Sequence, residues 1–233
     1  MWSLRWRILL NSNLTAKYEG EPVMNISEIK KNPFHSLAEE RVAVADIETL
    51  GQGADAVICS IAVVVVDLVN LIVVDEFYCR VDHNQVNRSR SEGTLAFWEQ
   101  QRQESPAAWD ELFNPASQRL FITNALELLA TFLLKAFGRA EDVQLMGNGS
   151  EFDNVILAHA YEQWGMAQPW HFRGNQSLRT AVWMGRVLLG IDPKYQLPFE
   201  GSRHIALHDA RHEAAYLIAI LKAFRERIAG GEV

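Results

Sequence analysis

The chain has 233 residues, of which 48% are hydrophobic and 22% charged, a composition typical of a globular protein that can bury a sizeable core. Its formal net charge of -7 argues against a broad basic surface for gripping long duplex nucleic acid. The same charge is compatible with a metal site, because bound divalent cations offset clustered carboxylates.

The first part of the chain differs from the rest. Residues 1–40 show no sustained hydrophobic period, and we interpret them as an N-terminal extension of uncertain order that precedes one domain over residues 41–233. The opening segment carries Arg5 and Arg7 and lacks a small-residue cleavage site, so it does not have the features of a targeting signal.

Regular patterning begins at residue 41 with three segments rich in Val and Ile. The stretch 56–74 is almost entirely apolar, but Asp67 and Asn70 interrupt it, so two buried strands explain it better than a membrane span. We therefore expect no membrane association. Three strands in an antiparallel meander are predicted, over residues 42–49, 57–66 and 71–81.

Segments with apolar residues at helical spacing follow a polar loop over residues 82–92. A short strand over 143–146 lies among them. Strands followed by helices that alternate with short strands predict the α/β class, as a mixed sheet with an antiparallel three-strand meander and further short strands, flanked by helices. The predicted helices cover residues 94–103, 106–113, 120–137, 151–164, 177–189 and 206–228.

Cys59 and Cys79 are the only cysteines, and both lie in apolar runs. Two thiols are too few for a disulfide framework, and their spacing does not suit a structural zinc site. This pattern predicts buried, reduced cysteines in a cytoplasmic protein.

A first acidic motif, Asp46 and Glu48, lies on the first predicted strand in the segment VAVADIETLG. Alternate residues of a strand face the same side, so the two carboxylates project together. Carboxylates are costly on an apolar strand unless they are paired or bind metal, and two of them form half of a cage for a hard divalent cation. A strand end that turns to solvent is the alternative.

A second motif, GNGSEFDN, lies where the short strand meets the next helix. Asp153 could face a cleft from this helix while Phe152 is buried. Alternatively, Ser150 caps the helix and Asp153 completes a capping box, which requires no metal.

The third motif, HIALHDA, opens the last helix. His204 and Asp209 can approach one site from different backbone directions, and an imidazole can exchange a proton near neutral pH. A solvated helix start is one alternative, because acidic residues there interact favourably with the helix dipole. A zinc site from His204, His208 and His212 is another, although His204 should precede the helix.

The three motifs, in this order, resemble the DEDDh superfamily of 3′–5′ exonucleases. Within it the chain is similar to small bacterial and phage exonucleases related to exodeoxyribonuclease VIII and to a compact exoribonuclease. The resemblance spans residues 41–224, and the segments that carry it are DIETLG, GNGSEFDN, SLRT and RHIALHDAR.

The resemblance implies a ribonuclease-H-like fold and an enzyme that releases nucleoside 5′-monophosphates from the 3′ end of single-stranded DNA or RNA. Asp46, Glu48, Asp153 and Asp209 would hold two Mg²⁺ or Mn²⁺ ions, with Asp46 bridging them, and His204 would be the general base. A catalytically silent module that binds 3′ ends or a protein partner is the alternative. The complete set of four acids and one histidine argues against it.

Further candidate residues follow from the same resemblance. Contacts with the terminal nucleotide are expected from Thr49, Leu50, Phe152 and Arg179. Stacking on bases, or burial in the core, is expected of Trp98, Trp170 and Phe172. Single-stranded 3′ ends are the expected partner, and a homodimer is left open.

Overall fold

A computed structural model describes residues 40–230, so the N-terminal extension, except for its last residue, lies outside the described part. Five strands form one sheet in the order β3-β2-β1-β4-β5. β1, β2 and β3 are antiparallel neighbours, whereas β4 is parallel to β1 and β5 is parallel to β4. The predicted meander and mixed sheet are confirmed. The strands are β1 (Arg41–Thr49), β2 (Ile58–Asp67), β3 (Ile72–Arg80), β4 (Leu145–Gly147) and β5 (Asn175–Ser177).

Helices account for most of the other described residues. Each of the six predicted helices occurs, and a π-helical turn over Gly185–Leu189 continues one of them. The sequence pattern does not predict β5 or the four-residue helix α6. The helices are α1 (Glu92–Glu104), α2 (Pro106–Phe113), α3 (Ile122–Phe137), α4 (Asp153–Gln163), α5 (Leu178–Met184), α6 (Pro193–Gln196) and α7 (Ala206–Ala229).

The two faces of β1 bury separate cores. Ala43, Ala45 and Ile47 pack on one side, with residues of α3 and α4. Val42 and Val44 pack on the other, with residues of α5 and α7. The sheet therefore lies between two helical layers, and α7 runs across the face from which the even-numbered side chains of β1 project.

The apolar stretch over residues 56–74 forms β2 and β3 with a tight turn between them. Asp67 Oδ1 accepts hydrogen bonds from the backbone N–H groups of Val69 and Asn70, both at 2.8 Å. β2 is buried on both faces, which explains its continuous run of apolar residues. Among the described helices, none combines the length and the hydropathy that a membrane span requires.

Cys59 and Cys79 are free and buried, as the sequence predicts. Burial raises the pKa of the Cys79 thiol to about 12, and it raises that of Cys59 as well. Both thiols are therefore protonated and unreactive at neutral pH. The cytoplasmic location stays a prediction.

A third apolar cluster covers the end of β1. It contains Leu50, Val57 and Leu112 around the indole of Trp98. Trp98 Nε1 donates a hydrogen bond to the carbonyl oxygen of Thr49 at 2.9 Å. This contact fixes α1 beside the strand end that carries the first acidic motif.

Candidate active site

Asp46 and Glu48 extend the face of β1 on which Val42 and Val44 pack against α7. The first turn of α7 contributes Asp209. One carboxylate oxygen from each of Asp46, Glu48 and Asp209 lies within 4.8 Å of the others. The packing of α7 on the sheet thus brings the first and third motifs together.

Asp153 lies beside this group at the start of α4. Its Oδ1 accepts a hydrogen bond from the backbone N–H of Ile47 at 3.2 Å, so the second motif is joined directly to β1. Asn154 anchors the same turn, since its Oδ1 accepts from the N–H of Gly147 at 3.1 Å and its Nδ2 donates to the carbonyl of Leu145 at 2.9 Å.

The capping-box interpretation of the second motif is wrong. α4 begins at Asp153, its N-cap residue is Phe152, and no side chain caps it. Ser150 lies too far before the helix to serve as its cap. Asp153 is instead buried, 3% exposed, and faces the other acids.

Burial raises the pKa values of all four acids, and repulsion from neighbouring carboxylates raises those of Asp46 and Glu48 further. For Asp46, burial is the largest cause, followed by Glu213 and then by Glu48, Asp153 and Asp209. For Glu48 the causes are burial, then Asp209 and Asp153. Burial raises the pKa of Asp153 to about 7, and it raises that of Asp209. A bound cation would favour the charged forms of these groups.

His204 lies in the loop before α7, as predicted, with a φ of 64°. Its backbone N–H donates to Asp209 Oδ2 at 2.6 Å. Its ring makes edge contacts with Phe97 at 5.1 Å and Trp98 at 6.4 Å between centroids. The backbone of His204 is therefore tied to an acid of the cluster and its imidazole packs against an aromatic wall, which does not match a solvated helix start.

The three histidines of the third motif have separate surroundings. His208 Nδ1 accepts a hydrogen bond from the N–H of Ser202 at 3.1 Å, and His212 Nε2 lies 3.1 Å from the carbonyl of Lys194. Over residues 40–230, the group with a geometry suited to a cation is the acidic one. The structure does not support a tri-histidine zinc site.

An open cavity of about 570 Å³ adjoins the acidic cluster. The end of β1 forms one wall and α1 forms another. Its volume suits a nucleotide-sized ligand. The cavity is lined by Ile47, Glu48, Thr49, Gly51, Gln52, Gly93, Thr94, Phe97, Trp98 and Phe152.

Of the residues predicted to contact substrate, two line this cavity and a third lies close to the acidic cluster. Thr49 and Phe152 line it. Arg179 forms an exposed ion pair with Glu151, and its charge lowers the pKa of Asp153. Leu50, in contrast, is 3% exposed and packs in the third cluster. Its contact with a base stays a prediction, which this burial does not favour.

The aromatic candidates differ in their surroundings. Trp98 contributes to the cavity wall, although it is almost fully buried. Trp170 is buried in the core, where its Nε1 donates to Asn175 Oδ1 at 2.9 Å. Phe172 is 67% exposed. Of these three, Trp98 is the one that lies at the cavity.

Sequence reasoning missed two residues of the site. Phe97 lines the cavity and contacts His204. Glu213 lies one turn after Asp209 on α7 and is only 4% exposed. The signal for Glu213 is its spacing, because residues four apart on a helix share a face, and this face also carries the buried Ala206 and Ala210.

Comparisons with known proteins agree with this geometry. The family model described as "3'-5' exoribonuclease Rv2179c-like domain" matches residues 41–221. No curated protein matches the sequence.

Solved structures with the same fold include three nucleases. The nuclease domain of 3'hExo, a DEDDh family member bound to rAMP, is 14% identical with a TM-score of 0.56, over 78% of this chain and 92% of that one. Cell-death related nuclease 4 is 16% identical with a TM-score of 0.56, over 78% and 64% of the two chains. E. coli Exonuclease I in complex with a dT13 oligonucleotide is 10% identical with a TM-score of 0.58, over 82% and 43%.

Proposed function

The chain belongs to the family of Rv2179c-like 3′–5′ exoribonuclease domains, and we propose that it hydrolyses single-stranded nucleic acid from the 3′ end with two Mg²⁺ or Mn²⁺ ions. It is a 3′–5′ exonuclease with a ribonuclease-H-like fold. The observation that carries the metal requirement is the close approach of the Asp46, Glu48 and Asp209 carboxylates.

The residues present fit divalent ions of this kind. All the candidate ligands are carboxylate oxygens, which hard cations such as Mg²⁺ and Mn²⁺ prefer. Burial raises the pKa values of Asp46, Glu48 and Asp153, and repulsion from neighbouring acids adds to the shifts of Asp46 and Glu48, so positive charge at this site would stabilise the charged forms. Asp46, Glu48, Asp153 and Asp209 would hold the ions. When bound, such ions activate a water molecule and stabilise the departing 3′ oxygen.

His204 is the proposed general base. It accepts the proton of the attacking water, whose oxygen forms a bond to phosphorus while the bond to the 3′ oxygen of the preceding nucleotide breaks. The products are a nucleoside 5′-monophosphate and a new 3′ hydroxyl. The backbone N–H bond to Asp209 fixes the position of His204 in the chain, and the edge contact with Phe97 orients its imidazole.

The cavity beside the acids would receive the terminal nucleotide. Phe97 and Phe152 provide apolar surface for the base, and the backbone around Thr49 lies next to Glu48, where the scissile phosphate must approach. Arg179 lies at the edge of the acidic cluster and could exchange Glu151 for a phosphate of the substrate. The family description favours RNA, and DNA remains the second candidate substrate. A homodimer stays a prediction.

End-labelled single strands test this proposal directly. With Mg²⁺ or Mn²⁺, the enzyme should release labelled mononucleotide from 3′-labelled RNA at once and from 5′-labelled RNA only at the end of the reaction. EDTA and Asp46→Asn should each abolish release. Matched DNA strands measure the sugar preference. Near-wild-type turnover by Asp46→Asn, or early release of the 5′ label, would contradict the assignment, and binding of 3′ ends without release would indicate the silent module.

A further inference from the structure

Glu213 is a buried acid, and one of its carboxylate oxygens accepts no hydrogen bond from the described residues. It lies on the face of α7 that packs against the sheet, one turn after Asp209, and is 4% exposed. Its Oε2 has no hydrogen-bond partner in the described part of the chain. The hydroxyl of Tyr216, one further turn along the helix and 1% exposed, also lacks a partner there.

The charge of Glu213 acts on the acidic cluster rather than on the protein surface. Among the neighbouring carboxylates, it is the one that most raises the pKa of Asp46. After burial, Asp153 and Asp209 are the main causes that raise the pKa of Glu213 itself. Tyr216 lies within electrostatic range of the same groups, because Glu213 and Asp46 raise the pKa of its hydroxyl after burial.

Within residues 40–230, no basic side chain forms an ion pair with Glu213. Lys194 and Arg179 are near enough to lower its pKa slightly, but neither forms an ion pair with it, and Arg179 pairs with Glu151 instead. Burial of a carboxylate without a partner is strongly unfavourable, and an apolar residue or a glutamine would avoid much of that cost. A purely structural role does not explain why a carboxylate occupies this position.

We propose that Glu213 is a positioning residue of the metal centre, which together with Tyr216 binds water around the ion beside Asp46 and thereby strengthens divalent-cation binding. This inference rests on the proposed metal-dependent function. A water held between Glu213 Oε2 and the Tyr216 hydroxyl satisfies both unpartnered groups at once. The added negative charge increases the attraction for a divalent ion, because affinity at oxygen sites rises with the number of charged groups around the ion.

The test measures binding of Mn²⁺ alone, without nucleic acid, by calorimetry on the full chain. Glu213→Gln removes the charge and keeps the shape of the side chain. Loss of a group that orients the surroundings of a metal weakens affinity by about 10- to 100-fold, and we expect a loss in this range. Tyr216→Phe should weaken binding in the same direction by a smaller factor. Glu226→Gln, on the exposed face of the same helix, is the matched control and should bind as wild type.

Activity provides a second comparison. At saturating Mn²⁺, the kcat of Glu213→Gln should approach that of wild type, whereas Asp46→Asn should stay inactive. Melting temperatures in EDTA establish that each variant folds. If Glu213→Gln is unstable, Glu213→Asp is the second variant. It keeps the charge but shortens the side chain by one methylene, and it should weaken Mn²⁺ binding too.

The outcomes separate the two proposals. If wild type and Glu213→Gln bind Mn²⁺ with the same affinity, the role of Glu213 is refuted while the proposed function stands. If wild type binds no Mn²⁺, the metal-dependent function itself is refuted, and the role of Glu213 with it.

Discussion

Asp153 occupies the first position of α4, where two features favour its charged form. The helix N-terminus attracts negative charge, and the N–H of Ile47 donates a hydrogen bond to Oδ1. Burial outweighs both, so the pKa of Asp153 rises to about 7. The same opposition occurs at Asp209, where the N–H and the charge of His204 lower a pKa that burial raises. In each case a bound cation would stabilise the charged carboxylate against the cost of burial.

The free energy of unfolding of EDTA-treated protein should therefore fall as the pH rises from about 4 to about 7. A carboxyl group with a raised pKa binds its proton more tightly in the folded protein than in the unfolded chain. Its stabilising contribution is complete at low pH and is lost as the pH rises from 3.8 through about 7, the values for Asp153. Asp46 and Glu48 shift in the same direction. Urea unfolding across this range, with and without Mg²⁺, measures the effect.

Asp153→Asn is the control for this pH dependence. The variant has no carboxyl group to titrate at this position, so its stability curve should be flatter than that of wild type. Mg²⁺ should stabilise wild type more at the upper end of the range than at the lower end, because protonated carboxyls bind cations poorly. Stability that increases with pH in EDTA, in wild type but not in the variant, would contradict the assignment.

His204→Asn should lower kcat by about 10² to 10⁴, the usual contribution of a positioned general base. Asn is chosen because His204 has a φ of 64°, a conformation that Asn adopts more readily than Ala. The melting temperature should stay close to that of wild type, since the N–H bond to Asp209 does not depend on the side chain. Release of 3′ label at saturating substrate gives kcat.

His171→Asn controls for loss of an imidazole elsewhere, because His171 is exposed in the loop before β5. It should have wild-type kcat. A kcat for His204→Asn within threefold of wild type would remove His204 from the mechanism and leave the acids as the sole catalytic groups.

At the scale of elements, α7 connects the core to the site through small residues. Ala206, Ala210 and Ala214 are fully buried in the cluster that also contains Val42 and Val44 of β1. Without large side chains at these positions, the helix axis can approach the sheet closely. Because the helix lies close to the sheet, Asp209 of α7 comes near Asp46 and Glu48 of β1.

Ala210→Leu should therefore impair both stability and activity. Overpacking of a buried position costs about 1–3 kcal/mol, and displacement of α7 would move Asp209 away from Asp46 and Glu48. Ala215→Leu, on the exposed side of the same helix, should have little effect. Urea unfolding and Mn²⁺ affinity measure the two consequences. Wild-type Mn²⁺ affinity in a destabilised Ala210→Leu would show that the position of Asp209 is insensitive to the packing of α7.

The long elements could be predicted because their patterns are local. β2 is a continuous apolar run, and α7 keeps helical spacing over its whole length, so neither depends on distant contacts for its recognition. β5 and α6 have three and four residues, too few to show a period. They form because β4 supplies a parallel partner for β5 and because Pro193 is suited to begin a helix.

The residues of the site also divide into those that the sequence could predict and those that it could not. Asp46, Glu48, Asp153, His204 and Asp209 could be named because ordered motifs carry them. Phe97 and Glu213 could not, because their roles depend on what α1 and α7 pack against. The predicted helix start at residue 151, with Ser150 as its possible cap, is two residues too early, because Asn154 bonds to the adjoining strand β4 and α4 begins at Asp153.

At the scale of the described domain, the acids and the cavity lie at one end of the sheet, where β1 and β4 both terminate and α7 begins. The net charge of the whole chain is -7, so we expect a local field, and not the protein surface as a whole, to attract the substrate. Bound cations would reverse the sign of that local field. Few protein cations are then needed to hold the strand.

Substrate binding should consequently depend only weakly on salt. Each phosphate of a single strand that a protein cation neutralises contributes about 0.7 to the slope of log affinity against log salt concentration, so one or two such contacts predict a slope of about 1.

Arg179 is the best-placed candidate for such a contact, since the exposed pair it forms with Glu151 is weak and can be exchanged for a phosphate. Arg179→Ala should raise KM and lower the slope by about 0.7, with kcat little changed. Arg139→Ala, before β4 at the opposite end of that strand, should change neither, and KM measured from about 50 to 200 mM salt at fixed Mg²⁺ decides the matter. A steep slope that survives Arg179→Ala would mean that a basic surface elsewhere binds the strand, and the account of a field confined to the metal site would be wrong.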